Sequence, residues 1–433
     1  MYLQRSCMFF SNDIKSRIQN IYTRNNQIII PAKKSGLKNI YKLGFSLFVL
    51  PFCLQADIIS LQDILSHVDK NHPLIKASKE EVMYSDSMAV LKKSMNPMIL
   101  KTSGVKASQD SGRNGYEYSV FLEKDVLFGT SNSALQSYVS SKKKASSLQQ
   151  KQVSVQLSND ISYTYHDVCL QKQQLDDYAD VAEAFELLHK KRKKAYDFGE
   201  ISKKDILLLS IELKNIKQKQ KNLQSDYQQS LELLRKKAYL INNDEPLCKD
   251  LKTIKQWDSI TLENSFEMKA IESSIDASNS LFQRYSKGYS PIGLFAGFDK
   301  ELNTQRISVG LSIPLNFSSN KQESKRRAAL SQKNILLSTY AQLKNSRKKD
   351  AEILRQKLDQ GYMNIKSNEE ILRLYTQELI PLVERGYQMG ETSLLEYLLA
   401  KREMWKTKQD LSEQKKSYYA SLFKFFNLIS NKE

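Results

Sequence analysis

Apolar side chains recur at intervals of three and four residues through long stretches of this chain. Between residues 201 and 240 they occupy Ile206, Leu209, Leu213, Ile216, Leu223, Tyr227 and Leu231. This spacing puts them on one face of an α-helix and predicts antiparallel coiled-coil hairpins of two long helices each. The predicted hairpins pair residues 130–196 with 201–240 and residues 320–388 with 391–429. Pro381 is expected to bend its helix near the end.

In two other regions the hydrophobic period is two, which is typical of β-strands. The alternation is clearest at Ile307, Val309, Leu311, Ile313 and Leu315. Residues 288–299 are the predicted hairpin partner, and residues 98–107 and 115–128 are the counterparts in the first half. Strands of this length can cross a membrane when tilted, but four strands cannot close a barrel. The strands therefore form either a small soluble sheet or part of a barrel to which several chains each contribute four strands. The alternation alone does not decide between them, and before the rest of the chain is considered we favour the soluble sheet.

The order of these elements is duplicated. Residues 196–208 recur 191 residues later as 387–399, with a tyrosine, glycine, glutamate, serine, acid and leucine pair in register. Such repeats predict two copies of one supersecondary unit. The predicted organisation is a first repeat at 57–240 (β-hairpin about 98–128, helical hairpin 130–240), a connector at 241–260, and a second repeat at 261–430 (β-hairpin about 288–317, helical hairpin 320–429).

Residues 1–56 are typical of an N-terminal extension with a secretory signal peptide. Lysines precede the apolar run of residues 43–50, which is too short for a permanent membrane helix, and Ala56 provides a small residue for cleavage. The alternative is a buried amphipathic helix of a cytosolic protein. Cys53 is a minor candidate for lipidation, because the bulky Phe52 precedes it.

The chain is basic, with a formal net charge of +18. The lysine-rich clusters at residues 142–144 and 190–194 could attract nucleic acid. No aromatic stacking platform or reading motif accompanies them, so we interpret them as solvated helix faces and expect no nucleic-acid partner.

Residues capable of catalysis or metal binding are sparse. Cys169 and Cys248, the two cysteines beyond the leader, form no CxxC pair, and the sequence predicts no disulfide framework. The histidines lack metal-ligand spacing, and His67 and His72 are interpreted as incidental. No glycine-rich phosphate loop follows a strand. The chain is therefore predicted not to be an enzyme and to hold no metal and no cofactor.

The combination of signal peptide, duplicated β-hairpin and duplicated helical hairpin resembles the TolC-like outer-membrane efflux proteins over residues 57–430. The most specific matches are residues 308–315, similar to that family's last barrel strand, and residues 386–396, similar to its second hairpin tip. The sequence of residues 390–396 is more similar to the branch of the family that exports heavy-metal cations than to the general drug or protein-secretion ducts. The resemblance implies a mainly α fold and a homotrimer, with a twelve-stranded β-barrel in outer-membrane lipid and an α-helical periplasmic tunnel.

The resemblance also implies roles for residues at the hairpin tips. Gly199, Glu200, Gly390 and Glu391 would contact a periplasmic adaptor, a membrane fusion protein that links the channel to a proton-driven inner-membrane pump. In the periplasmic gate, Asp205 and Tyr387 match a pair that holds the tips closed, and Glu396 matches a ring of carboxylates. Lys204, Thr392 and Leu399 depart from the family pattern, and Lys204 is expected to supply a positive charge that is otherwise missing.

The resemblance implies that the protein is an exit duct in the outer membrane of a Gram-negative bacterium. It would passively export metal cations or drugs as part of a tripartite efflux system. The alternatives are the duct of a type I protein secretion system, a periplasmic coiled-coil adaptor, and a cytosolic basic coiled-coil protein. An adaptor is expected to carry one helical hairpin between small β-rich modules, whereas this chain repeats hairpin and strands together.

Overall fold

The computed structural model describes residues 58–94, 97–108, 112, 114–126, 130–240, 244–249, 251–255, 265–286, 292–313 and 320–429. The signal peptide, its cleavage site at Ala56 and Cys53 lie outside the described residues. The helices are α1 (Leu61–Asn71), α2 (Pro73–Lys93), α3 (Thr130–Asp197), α4 (Lys203–Ala238), α5 (Phe266–Ser286), α6 (Lys321–Leu374), α7 (Ile380–Met389) and α8 (Leu394–Ile429). The strands are β1 (Ile58–Ile59), β2 (Ile99–Ser108), β3 (Asn114–Val126), β4 (Glu245–Pro246), β5 (Ile292–Lys300) and β6 (Gln305–Ser312).

The helices that form the two predicted hairpins are long. α3 has 68 residues, which corresponds to about 100 Å at 1.5 Å per residue. It packs against α2, α4, α5 and α8, and α6 packs against α5 and α8. Of the seven apolar positions predicted for the face of α4, five are buried: Leu209, Ile216, Leu223, Tyr227 and Leu231.

A single π-helical turn, Tyr375–Leu379, joins α6 to α7 directly before Pro381. Its wider turn lets the backbone N–H of Ile380 donate to the carbonyl of Tyr375. Because proline has no N–H to donate, an interruption of the α-helical ladder at this point is expected. The proline predicted to disturb this helix thus lies where the helical geometry changes.

The four long strands form one antiparallel sheet in the order β2-β3-β5-β6. The central contact joins the two halves of the chain, with Val120 of β3 opposite Phe298 of β5. Within the described residues, β2 and β6 are the edge strands. The predicted strand ends at Phe128, Pro314 and Leu315 lie outside those residues.

The register gives the sheet two chemically different faces. One face carries the apolar residues Leu100, Val120, Leu122, Ala296, Phe298, Ile307, Val309 and Leu311. The other face carries Lys101, Ser103, Glu117, Ser119, Glu123, Asp299, Arg306 and Ser308. Ile307 and Val309 are 83% and 80% exposed, so the apolar face is not covered by another part of the described chain.

Two phenylalanines on the polar face lie over glycines of the neighbouring strand. A Cβ atom on Gly297 would lie 2.2 Å from the ring of Phe121, and one on Gly310 would lie 2.4 Å from the ring of Phe295. Any larger residue at either position would displace the ring, so these glycines allow aromatic side chains to lie flat along the sheet.

The connector folds back onto the helical core, where the prediction of no disulfide framework is wrong. Cys248 of the connector forms a disulfide with Cys169 of α3, 79 residues earlier. The backbone N–H of Cys248 also donates to the Tyr165 hydroxyl at 2.9 Å. A few residues on, the hydroxyl of Tyr419 on α8 donates to the carbonyl of Lys252 at 2.7 Å. The connector therefore ties α3 to α8.

His166 of α3 is fully buried beneath this connector. Its Nε2 accepts a hydrogen bond from the Lys252 backbone N–H at 2.8 Å, so its proton lies on Nδ1, which donates to the Ser162 carbonyl at 2.7 Å. The pKa of His166 is lowered to about 4, mainly by burial; the hydrogen bond to Ser162 opposes this shift, and the charge of Lys252 contributes to it. The imidazole of His166 is therefore neutral at pH 7 and has a structural role.

His67 and His72 have structural contacts. His72 accepts from the Leu74 N–H through Nδ1 and caps α2, while its Nε2 lies 3.1 Å from the Lys237 carbonyl. His67 Nε2 lies 3.3 Å from the Tyr239 carbonyl. Both histidines therefore fasten the α1–α2 corner to the end of α4.

We expect His166 to make the fold acid-sensitive. The unfolded chain protonates this ring below about pH 6.5 but the folded protein only below about pH 4, so stability falls as the pH drops from 6.5 to 4. The full loss is about 3 kcal/mol. His166→Gln should flatten this dependence when thermal unfolding is followed across that range. His189→Gln, at a half-buried histidine of the same helix, is the control; an unchanged pH dependence in His166→Gln would contradict the assignment.

Candidate functional site

The two helical hairpins end in turns with the same backbone conformation. Gly199 and Gly390 have φ angles of +77° and +81°, in the left-handed region that favours glycine. The N–H of Glu200 donates to the carbonyl of Ala195 at 2.9 Å, and 191 residues later the N–H of Glu391 donates to the carbonyl of Gly386 at 2.8 Å. The duplicated sequence thus builds the same helix end twice.

The helix that follows each turn begins with a hydrogen-bonded pair of serine and acid. The Ser202 hydroxyl accepts from the Asp205 N–H at 3.2 Å and donates to the Asp205 carboxylate at 2.8 Å. The Ser393 hydroxyl does the same with Glu396, whose carboxylate also accepts from the Ser393 N–H at 2.9 Å. Asp205 and Glu396 occupy equivalent positions of the repeat; each bonds to the serine that caps its helix, and Glu396 also accepts from a backbone N–H as in a capping box.

This arrangement has an electrostatic consequence at Glu396. The hydrogen bond from the Ser393 backbone, followed by that from its hydroxyl, lowers the pKa of Glu396. The side chain is exposed. It is therefore ionised at neutral pH and open to other charges.

A cluster of aromatic and cationic side chains joins the two hairpins just behind the tips. The ring of Tyr387 stacks on Tyr397 with centroids 5.0 Å apart. The guanidinium of Arg192, from the first hairpin, lies 4.4 Å above the Tyr387 ring. Burial raises the pKa of Tyr397 to about 12, and the nearby charge of Glu384 adds to this shift. Arg192 thus links α3 to the second hairpin through a cation–π contact.

The candidate gate residues are only partly brought together. Burial raises the pKa of Tyr387, Arg192 opposes that shift, and Asp205 adds to it, so Asp205 and Tyr387 share one electrostatic environment. Glu396 bonds to Ser393, and Lys204 is exposed. The positive charge that faces Tyr387 is Arg192, which the sequence analysis did not identify.

An apolar layer supports the cluster from below. Phe185 of α3 and Trp405 of α8 are buried and meet edge to face, with ring centroids 5.1 Å apart. Beside them Arg402 of α8 forms an ion pair with the buried Glu212 of α4 at 2.6 Å. These contacts hold the two hairpins of one chain side by side.

No group of three or more histidine, cysteine, aspartate or glutamate side chains among the described residues could hold a metal ion. Among those residues, no helix has both the length and the hydropathy required to cross a bilayer.

Replacing either tip glycine should loosen its turn. A Cβ atom at Gly199 or Gly390 meets no other atom, so Gly199→Ala or Gly390→Ala acts through the positive φ angle alone. We expect a local cost of about 1 kcal/mol, seen as faster amide hydrogen exchange in the residues around the turn. Gln388→Ala, at an exposed helical position next to the second turn, is the control. Equal protection in the glycine and control variants would show that the turns do not depend on this conformation.

The fold is similar to that of several solved structures. No protein-family model and no curated protein matches the chain. A structure of the CusC channel protein has a TM-score of 0.67 at 15% identity, covering 85% of this chain and 91% of CusC. The CmeC outer-membrane channel of Campylobacter jejuni has a TM-score of 0.65 at 13% identity, covering 92% and 94%. The open-state MtrE outer-membrane channel of Neisseria gonorrhoeae has a TM-score of 0.65 at 13% identity, covering 93% and 98%.

At identities this low, the structural similarity establishes the arrangement of the backbone alone. The coverage shows that this arrangement extends over nearly the whole of each compared chain. The predicted fold class is thereby confirmed in its helices, its strands and their order. This chain has the fold of the TolC-like outer-membrane efflux channels.

Proposed function

We propose that this protein is the outer-membrane exit duct of a tripartite efflux system in a Gram-negative bacterium. In this role it passively conducts substrates that an inner-membrane pump delivers through a periplasmic adaptor. The duct itself performs no catalysis. The fold supports the role of a channel. The four-stranded sheet provides the more direct support.

The single observation that supports this proposal most directly is the incomplete sheet. It has one apolar and one polar face, and both edge strands, β2 and β6, lack a partner within the described residues. Open edges are not tolerated in lipid, where every backbone group needs a hydrogen-bond partner. Three copies with four strands each would close a twelve-stranded barrel, with the apolar face toward lipid and the polar face toward water.

The same symmetry accounts for the helices in this proposal. Three copies of the two helical hairpins would continue the barrel as a periplasmic tunnel. The repeats at 57–240 and 261–430 then contribute equivalent helical hairpins to the wall of the tunnel. Residues 1–56 direct export. The glycine turns at Gly199 and Gly390 would face the adaptor.

We further propose that Asp205, Tyr387 and Glu396 belong to the gate. Within one chain Arg192 lies over the ring of Tyr387, Asp205 is near enough to raise the pKa of Tyr387, and Glu396 is exposed. Three copies of Glu396 around a narrow opening would repel one another and attract cations. The transported class remains metal cations or drugs, because the duct accepts what the pump delivers.

The trimer can be tested by the migration of the protein from purified outer membranes. We expect a heat-modifiable species with the cross-linked size of three chains. Closure predicts that Ser103→Cys on β2, combined with Ser308→Cys or Ser312→Cys on β6, forms disulfides between copies. Ser119→Cys on the central strand β3 replaces Ser103→Cys in the control. A soluble monomer or dimer would overturn the duct proposal.

The gate can be tested by planar-bilayer conductance. Asp205→Lys or Glu396→Lys should raise ion conductance, because charge reversal breaks the contacts that narrow the opening. Glu396→Gln removes the charge but retains a residue that can complete the helix cap, and so separates charge from folding. Glu370→Lys, on the exposed face of α6, is the matched control. Conductance equal to that of the wild type in both lysine variants would remove Asp205 and Glu396 from the gate.

A further inference from the structure

The tip of the first hairpin is surrounded by exposed lysines. We call this set the lysine rim; it comprises Lys190, Lys191, Lys193, Lys194, Lys203 and Lys204, all of which are exposed. At its centre, beside the Gly199 turn, the side chain of Phe198 is 80% exposed. The first tip therefore presents one large exposed apolar side chain, flanked in sequence by six exposed lysines and by two exposed acids, Asp197 and Glu200.

The duplication provides an internal comparison for this charge. Residues 190–205, which contain the first tip, have seven basic and three acidic side chains. The equivalent residues of the second tip, 381–396, have one basic and three acidic side chains. The two tips have the same backbone and opposite net charge. The charge is therefore not required by the hairpin fold.

Helix stability explains only part of the rim. Lys194 lies in the last turn of α3, where positive charge is favoured by the helix dipole. Lys203 and Lys204, in contrast, are the first residues of α4, where positive charge opposes the dipole. The second tip has Leu394 and Leu395 at these positions. The lysines at the start of α4 are thus electrostatically unfavourable for their own helix.

The apex residue adds an apolar contact. Phe198 matches Met389 of the second tip, which is 66% exposed. An exposed aromatic side chain at the end of a hairpin is a suitable anchor, because such residues often carry much of the binding energy in protein interfaces. The surrounding charges then select the partner and accelerate its approach.

We propose that the first tip is the docking site for the acidic end of a periplasmic partner protein, which receives Phe198 in an apolar socket. This rests on the proposed function, in which the tips face the periplasm. The second tip, with its opposite charge, would contact the partner without this attraction. Recognition is consequently asymmetric around the end of the tunnel, alternating between basic and acidic tips.

Binding can be measured with the purified full-length protein and a fluorescein-labelled acidic helical peptide of Glu and Ala with one central Leu. The test variant is Lys193→Glu/Lys203→Glu, in which the change at 193 installs the residue of the second tip, Glu384. We expect its affinity to fall at least about tenfold at low salt, and wild-type affinity to weaken as salt is raised. Lys219→Glu/Lys221→Glu, the same charge change on the shaft of α4, should retain wild-type affinity. Phe198→Ala should weaken binding without altering its salt dependence.

Efflux in cells separates this inference from the proposed function. The double variant at Lys193 and Lys203 should lower tolerance to the exported compounds, and the control at Lys219 and Lys221 should not. If wild-type protein forms no conducting pore, the proposed function fails. If wild-type protein conducts but the test and control variants bind the peptide equally, or both support full tolerance, the docking inference is overturned. Binding to phosphatidylglycerol vesicles in place of the peptide would also overturn it, in favour of an anionic lipid surface.

Discussion

The backbone hydrogen bonds at the edges of the four-stranded sheet constrain the rest of this molecule. β2 and β6 end the sheet within the described chain, yet the apolar face carried by Ile307 and Val309 is suited to lipid. A sheet of this kind is stable in a bilayer only if other strands complete it. In the proposed assembly further copies of the chain supply these strands, and each copy also brings its own helical hairpins. The tips at the far end therefore inherit their symmetry from the strands.

Within one chain, the connector makes the two repeats a single body. It pairs β1 with β4, bonds through its backbone to Tyr165 and His166, and accepts hydrogen bonds from Tyr418 and Tyr419. These contacts lie between the sheet and the tips, where α3 and α8 pack together. The hairpins are joined again near their ends by the stack of Arg192 on Tyr387. Because Arg402 with Glu212 and Phe185 with Trp405 also join the hairpins, the two hairpins of one chain are expected to move together unless these contacts near the tips break.

The sequence was sufficient for features that depend on local periodicity. The alternation around Ile307 encodes a strand with one apolar face, and the spacing from Leu209 to Leu231 encodes a helix and the face that it buries. Both elements were predicted correctly. The capping pairs Ser202–Asp205 and Ser393–Glu396 could also have been recognised, because a serine followed three residues later by an acid is the signature of a helix start. The contact of Arg192 with Tyr387 and the disulfide of Cys169 with Cys248 could not. Both join residues far apart in sequence, and the second depends on an irregular connector whose path no periodic pattern specifies.

The Cys169–Cys248 bond makes the first hairpin a covalently closed loop. The loop contains the end of α3, the Gly199 tip and all of α4. A protease that cuts the chain at Phe198 would therefore leave both fragments attached, and only a reducing agent would separate them. The second hairpin has no such closure, since the chain contains no cysteine after Cys248. Under oxidising conditions the two tips would thus differ in the outcome of a single cleavage: the first would be cut but remain covalently attached, whereas the second would be divided into fragments held only by packing.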